Sequence, residues 1–180
     1  MPATLIHNNF SVKSKIMREL FIQPPEIVEL NDDDRVVFLA GPIQGAPKWQ
    51  YEAERIIHSL DAGIVVASPR KDYSKGEFVY ERQVDWETHF LNRAARVGAI
   101  IFWLALQVKE TPGRPFAQTS RFELGEWKVK HETTGANVVV GIEEGFPNER
   151  YIRHRLGQDC PKIPILSSLQ ETCKTAVDII

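Results

Sequence analysis

Cysteine, histidine, basic runs and long apolar runs are all scarce in this chain, and each scarcity removes a class of function. Only two cysteines, Cys160 and Cys173, occur in 180 residues. Their spacing fits no metal site and offers no disulfide framework, so both thiols are expected to be reduced. The five histidines are scattered, without a His-Glu-x-x-His pattern or a Cys/His cluster, and no metal is expected. Twenty-two basic and 24 acidic residues leave a net charge of -2 with no stretch of Lys/Arg, which argues against a nucleic acid polymer as partner. The longest apolar run, 99–106, is too short to cross a bilayer, and the first residues lack the charged-then-apolar layout of a signal peptide. A cytoplasmic protein with no membrane contact is expected. A Gly-x-Gly-x-x-Gly fingerprint is also missing, so no dinucleotide, or any other cofactor, is anticipated.

What remains is the composition of an ordinary globular domain, 43% hydrophobic and 26% charged. The length suits one domain with a full-sized core. From Arg35 onward, short β-rich runs alternate with helical patterns, the signature of βαβ units and a parallel sheet covered on both faces. The expected strands are 36–40, 64–67, 99–104, 138–142 and 163–166. Five such strands predict an α/β three-layer sandwich with a five-stranded parallel sheet, flavodoxin-like or Rossmann-like. Trp49, Ala53, Ile56, Ile57 and Leu60 recur at helical spacing, as do Val84, Glu87, Leu91 and Ala94, and later Leu124 and Trp127. Residues 1–34 read as an N-terminal extension ahead of a domain at 35–180. The extension carries a weak helical pattern in Val12, Ile16 and Leu20, then Pro24-Pro25, and is expected to pack on the domain or on a neighbouring subunit.

In a parallel α/β sheet, ligands sit where the strands end and the helices begin. The first predicted strand ends in Gly41-Pro42-Ile43-Gln44-Gly45, where a residue without Cβ lets a ligand approach the backbone; an ordinary turn is the competing reading. On the helix expected at 81–97, Asp85, His89, Asn92 and Arg96 share a polar face and read as solvated surface. Glu87 falls instead on the apolar stripe, in the first turns, where a carboxylate needs a partner or a substrate. Glu123 follows the next strand. Its spacing from Ser120 matches a capping box, so it reads either as a helix cap or as a nucleophile with room left beside it by Gly125. Two carboxylates on one rim suit acid/base or covalent chemistry at a glycosidic carbon. Phe122, Trp127, Trp49, Trp86 and Trp103 offer faces on which to stack a base, with core packing as the alternative, preferred for Trp103 and Trp127. The loops at 108–118 and 143–148, rich in Gly and Pro, are the irregular segments expected over the strand ends.

Three segments taken in order, Phe38-Leu39-Ala40-Gly41-Pro42-Ile43, Trp86-Glu87 leading to Leu91-x-x-Ala94, and Phe122-Glu123-Leu124-Gly125, resemble the nucleoside 2-deoxyribosyltransferase family, especially its "like" branch. The resemblance covers about residues 35–166. It implies a five-stranded parallel α/β sandwich and an enzyme that cleaves the N-glycosidic bond of 2'-deoxynucleosides and passes the sugar to another base. It further implies that Glu123 is the nucleophile, that Gly41, Pro42 and Ile43 line the sugar site with Gln44 beside them, and that Glu87 is the acid contacting substrate. Thr119, Ser120 and the helix start would contact a phosphate if the substrate were a nucleoside 5'-monophosphate. Family sites are completed by a neighbouring chain, with Asn148 as the matching asparagine, which implies a homo-oligomer with shared active sites. Where the family carries an Asp-x-Gly-Thr-like run before its nucleophile, this chain has Phe116-Ala117-Gln118-Thr119-Ser120. Protonation of the leaving base is thereby left to Gln118, Glu126 or another subunit. Hydrolysis by water and turnover-free binding of a nucleotide or nucleotide-sugar are the alternatives to transfer.

Overall fold

Runs of β-branched and aromatic residues with no polar alternation can be satisfied only between two apolar layers, and each such run here becomes a strand buried on both faces. The computed structural model describes residues 20–74 and 77–180. In chain order the elements are β1 (Phe21–Ile22), β2 (Val36–Ala40), α1 (Trp49–Leu60), β3 (Val65–Ala67), α2 (Tyr80–Val97), β4 (Gly98–Leu104), α3 (Gln118–Thr134), β5 (Val138–Ile142), α4 (Glu149–Asp159), β6 (Ile165–Leu166) and α5 (Leu169–Asp178). All strand pairs are parallel, in the order β1-β3-β2-β4-β5-β6. The expected α/β three-layer, flavodoxin-like or Rossmann-like fold is what forms.

Among the described residues, the sheet holds six strands where five were anticipated. The addition comes from the segment read as an N-terminal extension: Phe21 and Ile22 pair with Val66 and Ala67, and Leu20 accepts a 2.7 Å hydrogen bond from the Val66 amide. Two residues make too short a run to register as a strand in sequence, although Ile22 is fully buried. The helical reading at Val12 and Ile16 lies outside the described residues; Leu20 is not helical.

Alternation along the strands divides the core in two. Val36, Phe38 and Ala40 of β2 face a layer built by Trp86 and Phe90 of α2, Leu124 and Trp127 of α3, and Leu156 of α4. Val37 and Leu39 face Trp49, Ala53 and Ile57 of α1 and Cys173 and Ala176 of α5. Both cysteines are buried and unbridged, and burial pushes the Cys173 thiol up to about 12. Among the described residues, no helix is long and apolar enough to cross a membrane.

From β2 onward the strand order is that of a doubly wound sheet whose direction reverses between β2 and β4. In such sheets a crevice opens beyond the strand ends at the reversal, because the loops leaving the two strands diverge to opposite faces.

Candidate active site

At that reversal lies a cavity of about 630 Å³. Its floor is the end of β2, its walls are the loops after β2, β3 and β4, and its inner side is the start of α2 and α3.

The loop after β2 is built to stay in place. Gly41 has φ +146, and a Cβ there would lie 2.3 Å from the carbonyl oxygen of Trp103 and 2.9 Å from Cζ2 of Trp49, so glycine is required at this approach. Trp49 Nε1 donates to the Pro42 carbonyl at 3.0 Å. The buried Arg70 donates from Nη2 to the carbonyls of Ile43 and Pro47, at 2.7 and 3.2 Å, and from Nε to Gln50 Oε1 at 2.7 Å. Across the cavity mouth, the segment after β4 is tied to the same loop. The amides of Val108 and Lys109 donate to the Gly45 carbonyl, at 2.8 and 3.1 Å, and Arg114 Nη1 donates to Gln44 Oε1 at 3.0 Å.

Glu87 and Glu123 both line this cavity, one from α2 and one from α3. On α2 the buried stripe runs through Gln83, Trp86, Phe90, Leu91 and Ala94. Val84, expected on the stripe, is 39% exposed, and Glu87 sits half-buried at the stripe's edge, so both turn toward the cavity rather than into the core. The partner that an inward carboxylate requires is Gln83, whose Nε2 donates to Glu87 Oε1 at 2.7 Å and to the Pro69 carbonyl at 3.0 Å. Gln83 Oε1 in turn accepts from the Tyr73 hydroxyl at 2.6 Å. Burial raises the Glu87 carboxyl above its usual range, and the bond from Gln83 partly opposes that rise.

The capping reading of Glu123 is overturned. Helix α3 starts at Gln118, two residues before Ser120, after Ala117 in the left-handed conformation (φ 56, ψ 26), and no side chain caps it. Glu123 is therefore in the second turn. Among the described residues, no hydrogen bond or ion pair reaches its carboxyl. Burial, then the nearby charges of Glu87 and Glu126, push it up to about 8. The Ser-x-x-Glu signature does operate in this protein, but at α5, where Ser168 Oγ accepts from the Glu171 amide at 3.2 Å and bonds its carboxylate at 2.8 Å.

Gly41, Pro42, Ile43, Gln44, Thr119 and Ser120 all line the cavity with the two glutamates, as does Gln118. Asn148 does not. It precedes α4 in a left-handed conformation (φ 63), outside the cavity lining of its own chain. The 143–148 loop also stays out of the lining, whereas much of 108–118 belongs to it. Glu126 faces a neighbouring groove of about 260 Å³ between α2 and α3 and is paired with Lys130 at 2.6 Å. Glu87 and Glu123 line this groove as well. The tryptophans pack in the core: Trp86 is fully buried with Nε1 donating to the Glu26 carbonyl at 3.0 Å, Trp49 and Trp103 are buried on the opposite face, and Trp127 only edges the groove. The aromatic surfaces inside the cavity are Phe38, Tyr73, Phe78, Tyr80 and Phe116. Of the residues that sequence reasoning passed over, Gln83 had a signal, its spacing of four from Glu87 on one helix. Tyr73 and Arg114 lie in loops and had none.

Among the described residues, no group of three or more His, Cys, Asp or Glu is placed to hold a metal ion. No protein-family model matches the chain, and no curated protein matches it.

Proposed function

We propose that this chain is an N-glycosidic bond-cleaving enzyme, a nucleoside 2-deoxyribosyltransferase-like protein acting through a covalent Glu123-deoxyribose intermediate. The observation that carries the reading is the convergence of Glu87 and Glu123, from successive βα units, on one cavity at the sheet's reversal. Both carboxyls are raised, so near neutral pH the pair retains a proton, and an acid and a carboxylate stand at the same sugar. In the productive arrangement the proton is on Glu87. The Glu123 carboxylate attacks the anomeric carbon, the C–N bond breaks, and the Glu87 proton passes to the departing base. An incoming base reverses these steps, returning its proton to Glu87. Glu126, held by Lys130, and Gln118, an amide, are poorer proton donors than Glu87.

Hydrolysis is the second reading. It is favoured by the groove between α2 and α3, which borders both carboxylates and gives water a second approach to the intermediate. The exposed Phe78, Tyr80 and Phe122, 51%, 66% and 76% accessible, stand at the cavity or the groove and support a homo-oligomer whose neighbouring chain covers them. A cytoplasmic enzyme of nucleoside or nucleotide metabolism accords with this chemistry.

The test is incubation with a panel of deoxynucleosides and a free acceptor base. Exchange of base supports transfer, and free deoxyribose with no exchange supports hydrolysis. Neither product across the panel refutes both and leaves a binding module.

A further inference from the structure

The groove of about 260 Å³ between α2 and α3 shares a wall with the large cavity, because Tyr80, Val84, Glu87, Thr119 and Glu123 line both. The two carboxyls therefore stand at a junction with a space on either side. The groove is apolar on both of its helices, with Val84 and Leu91 from α2 and the exposed Phe122 from α3. Beyond Glu123, Glu126 and Lys130 line it one and two turns further along α3, about 4.5 and 10.5 Å away at the helical rise of 1.5 Å per residue. These two are held together. Lys130 Nζ lies 2.6 Å from Glu126 Oε1 and 4.0 Å from the centre of the Trp127 ring, which fixes an ammonium donor beside a carboxylate acceptor. Thr88 and Asn92 add a hydroxyl and an amide to the α2 wall.

We infer that this groove is the base subsite: the sugar lies in the large cavity, the departing or incoming nucleobase lies between α2 and α3, and the glycosidic bond crosses between Glu87 and Glu123. A base taken out of its stack is held by apolar or aromatic contacts on its faces and by hydrogen bonds along its Watson–Crick edge. Every common nucleobase places a donor next to an acceptor on that edge, and the Lys130–Glu126 pair presents the complement. With its reacting nitrogen at the two carboxyls, a base points that edge along α3 toward the pair. On cleavage, the electrons of the C–N bond pass to the base nitrogen, a Glu123 oxygen forms the new bond to the anomeric carbon, and the Glu87 proton goes to the same nitrogen. The base thus enters the groove neutral. An incoming base in the groove returns its proton to Glu87 and meanwhile fills the path by which water would reach the intermediate, so occupancy of the groove favours transfer over hydrolysis.

The inference rests on the glycosidic reading for which bond crosses the junction, and binding of free bases separates the two. Calorimetry with adenine, hypoxanthine, cytosine and thymine compares the parent with two groove variants, Lys130→Met and Thr88→Trp, and with Ile43→Trp, which fills the large cavity. All four proteins are compared at a temperature where circular dichroism shows them folded. At least one base is expected to bind the parent, with affinity falling about tenfold in Lys130→Met and lost in Thr88→Trp, but staying within about twofold in Ile43→Trp. The matching deoxynucleoside, measured on a Glu123→Gln background that blocks turnover, should instead weaken in all three variants. Base affinity that survives either groove variant, or that falls in Ile43→Trp, overturns the assignment and leaves glycosidic chemistry standing. An absence of base binding does the same, and is the result expected if a neighbouring chain fills the groove. Groove-dependent base binding in a protein whose parent form turns over no nucleoside upholds the base site and refutes the catalytic reading.

Discussion

Gln83 and Glu87, one turn apart on α2, are joined by a 2.7 Å hydrogen bond from Nε2 to Oε1, whereas Glu123 faces the same cavity with no such donor among the described residues. The difference sets how the two acids titrate. In Glu87 the amide donor favours the anion against burial; in Glu123 burial acts unopposed and the charge of Glu87 adds to it. Interacting carboxyls give up their protons in two steps that belong to the pair, so between those steps one proton is shared across the cavity. This single-proton state is the one the proposed chemistry uses, and activity is expected only between the two steps.

Substitution separates the roles. Glu123→Gln is expected to lower kcat by at least about 10³-fold, because it removes the nucleophile itself. Glu87→Gln is expected to cost about 10² to 10⁴-fold, the usual contribution of a positioned acid. With a substrate whose leaving base departs without protonation, the Glu87 variant should recover much of its rate and the Glu123 variant none. Intact-protein mass spectrometry of the parent, quenched during turnover, should find a sugar adduct that Glu123→Gln lacks. Equal losses on both substrates would remove the division of labour.

The raised carboxyl also makes stability fall with pH. An unfolded Glu123 ionises near its ordinary value of 4.5, but the folded protein holds the proton up to about 8. Between these limits the native state binds more protons than the unfolded state, so unfolding free energy decreases as pH rises and levels off above about 8. Glu123→Gln has no such dependence. Its melting temperature is expected to overtake that of the parent across this window by a growing margin, with no further divergence at higher pH. A margin constant from pH 4.5 to 8.5 would mean that the carboxyl titrates normally.

Gln83 is a positioning residue for Glu87. Gln83→Leu keeps the volume but deletes the donor that favours the Glu87 anion, so the acidic limb of the kcat/KM profile should move to higher pH. The change also leaves the Tyr73 hydroxyl and the Pro69 carbonyl without their Gln83 partner, at a cost of about 1–3 kcal/mol for each buried group left unsatisfied. A loss of stability with an unmoved pH profile would confine Gln83 to a structural role.

The sheet was legible because its strands are buried on both faces and so read as unbroken runs, Val36 to Ala40 and Val138 to Ile142 most plainly. The topology rule then pointed to the rim where the cavity opens, and Glu87 was identified as the carboxylate out of place on its stripe. What failed was local. Ala117 gives no chemical hint that a helix follows it, so the start of α3 was placed late and the spacing of Ser120 and Glu123 imitated a cap. Val84 was counted into the stripe because a helical wheel cannot distinguish a core face from a cavity wall beside it. Arg114 escaped because its position depends on where a loop closes, which no period in the sequence encodes.

Gly41 provides the test of how rigid the β2 side of the cavity must be. A methyl group there has no room, since both the Trp103 carbonyl and the Trp49 ring stand within 3 Å of it, and φ +146 is strained for any residue with a Cβ. Gly41→Ala is therefore expected to destabilise the fold by about 2–5 kcal/mol, combining strain with overpacking. Gly113, on the opposite wall, has φ +74 but nothing within 4 Å of a Cβ, so Gly113→Ala should cost only the left-handed penalty of about 1–2 kcal/mol. Urea midpoints at constant m would measure both. Any backbone shift that relieves the clash at Gly41 must also move Pro42, whose carbonyl is held by Trp49 Nε1, and Ile43, held by Arg70. The variant should then lose turnover beyond what its unfolded fraction explains at temperatures where it remains folded. A Gly41→Ala protein as stable and as active as the parent would mean that the loop after β2 adjusts freely and does not define the site.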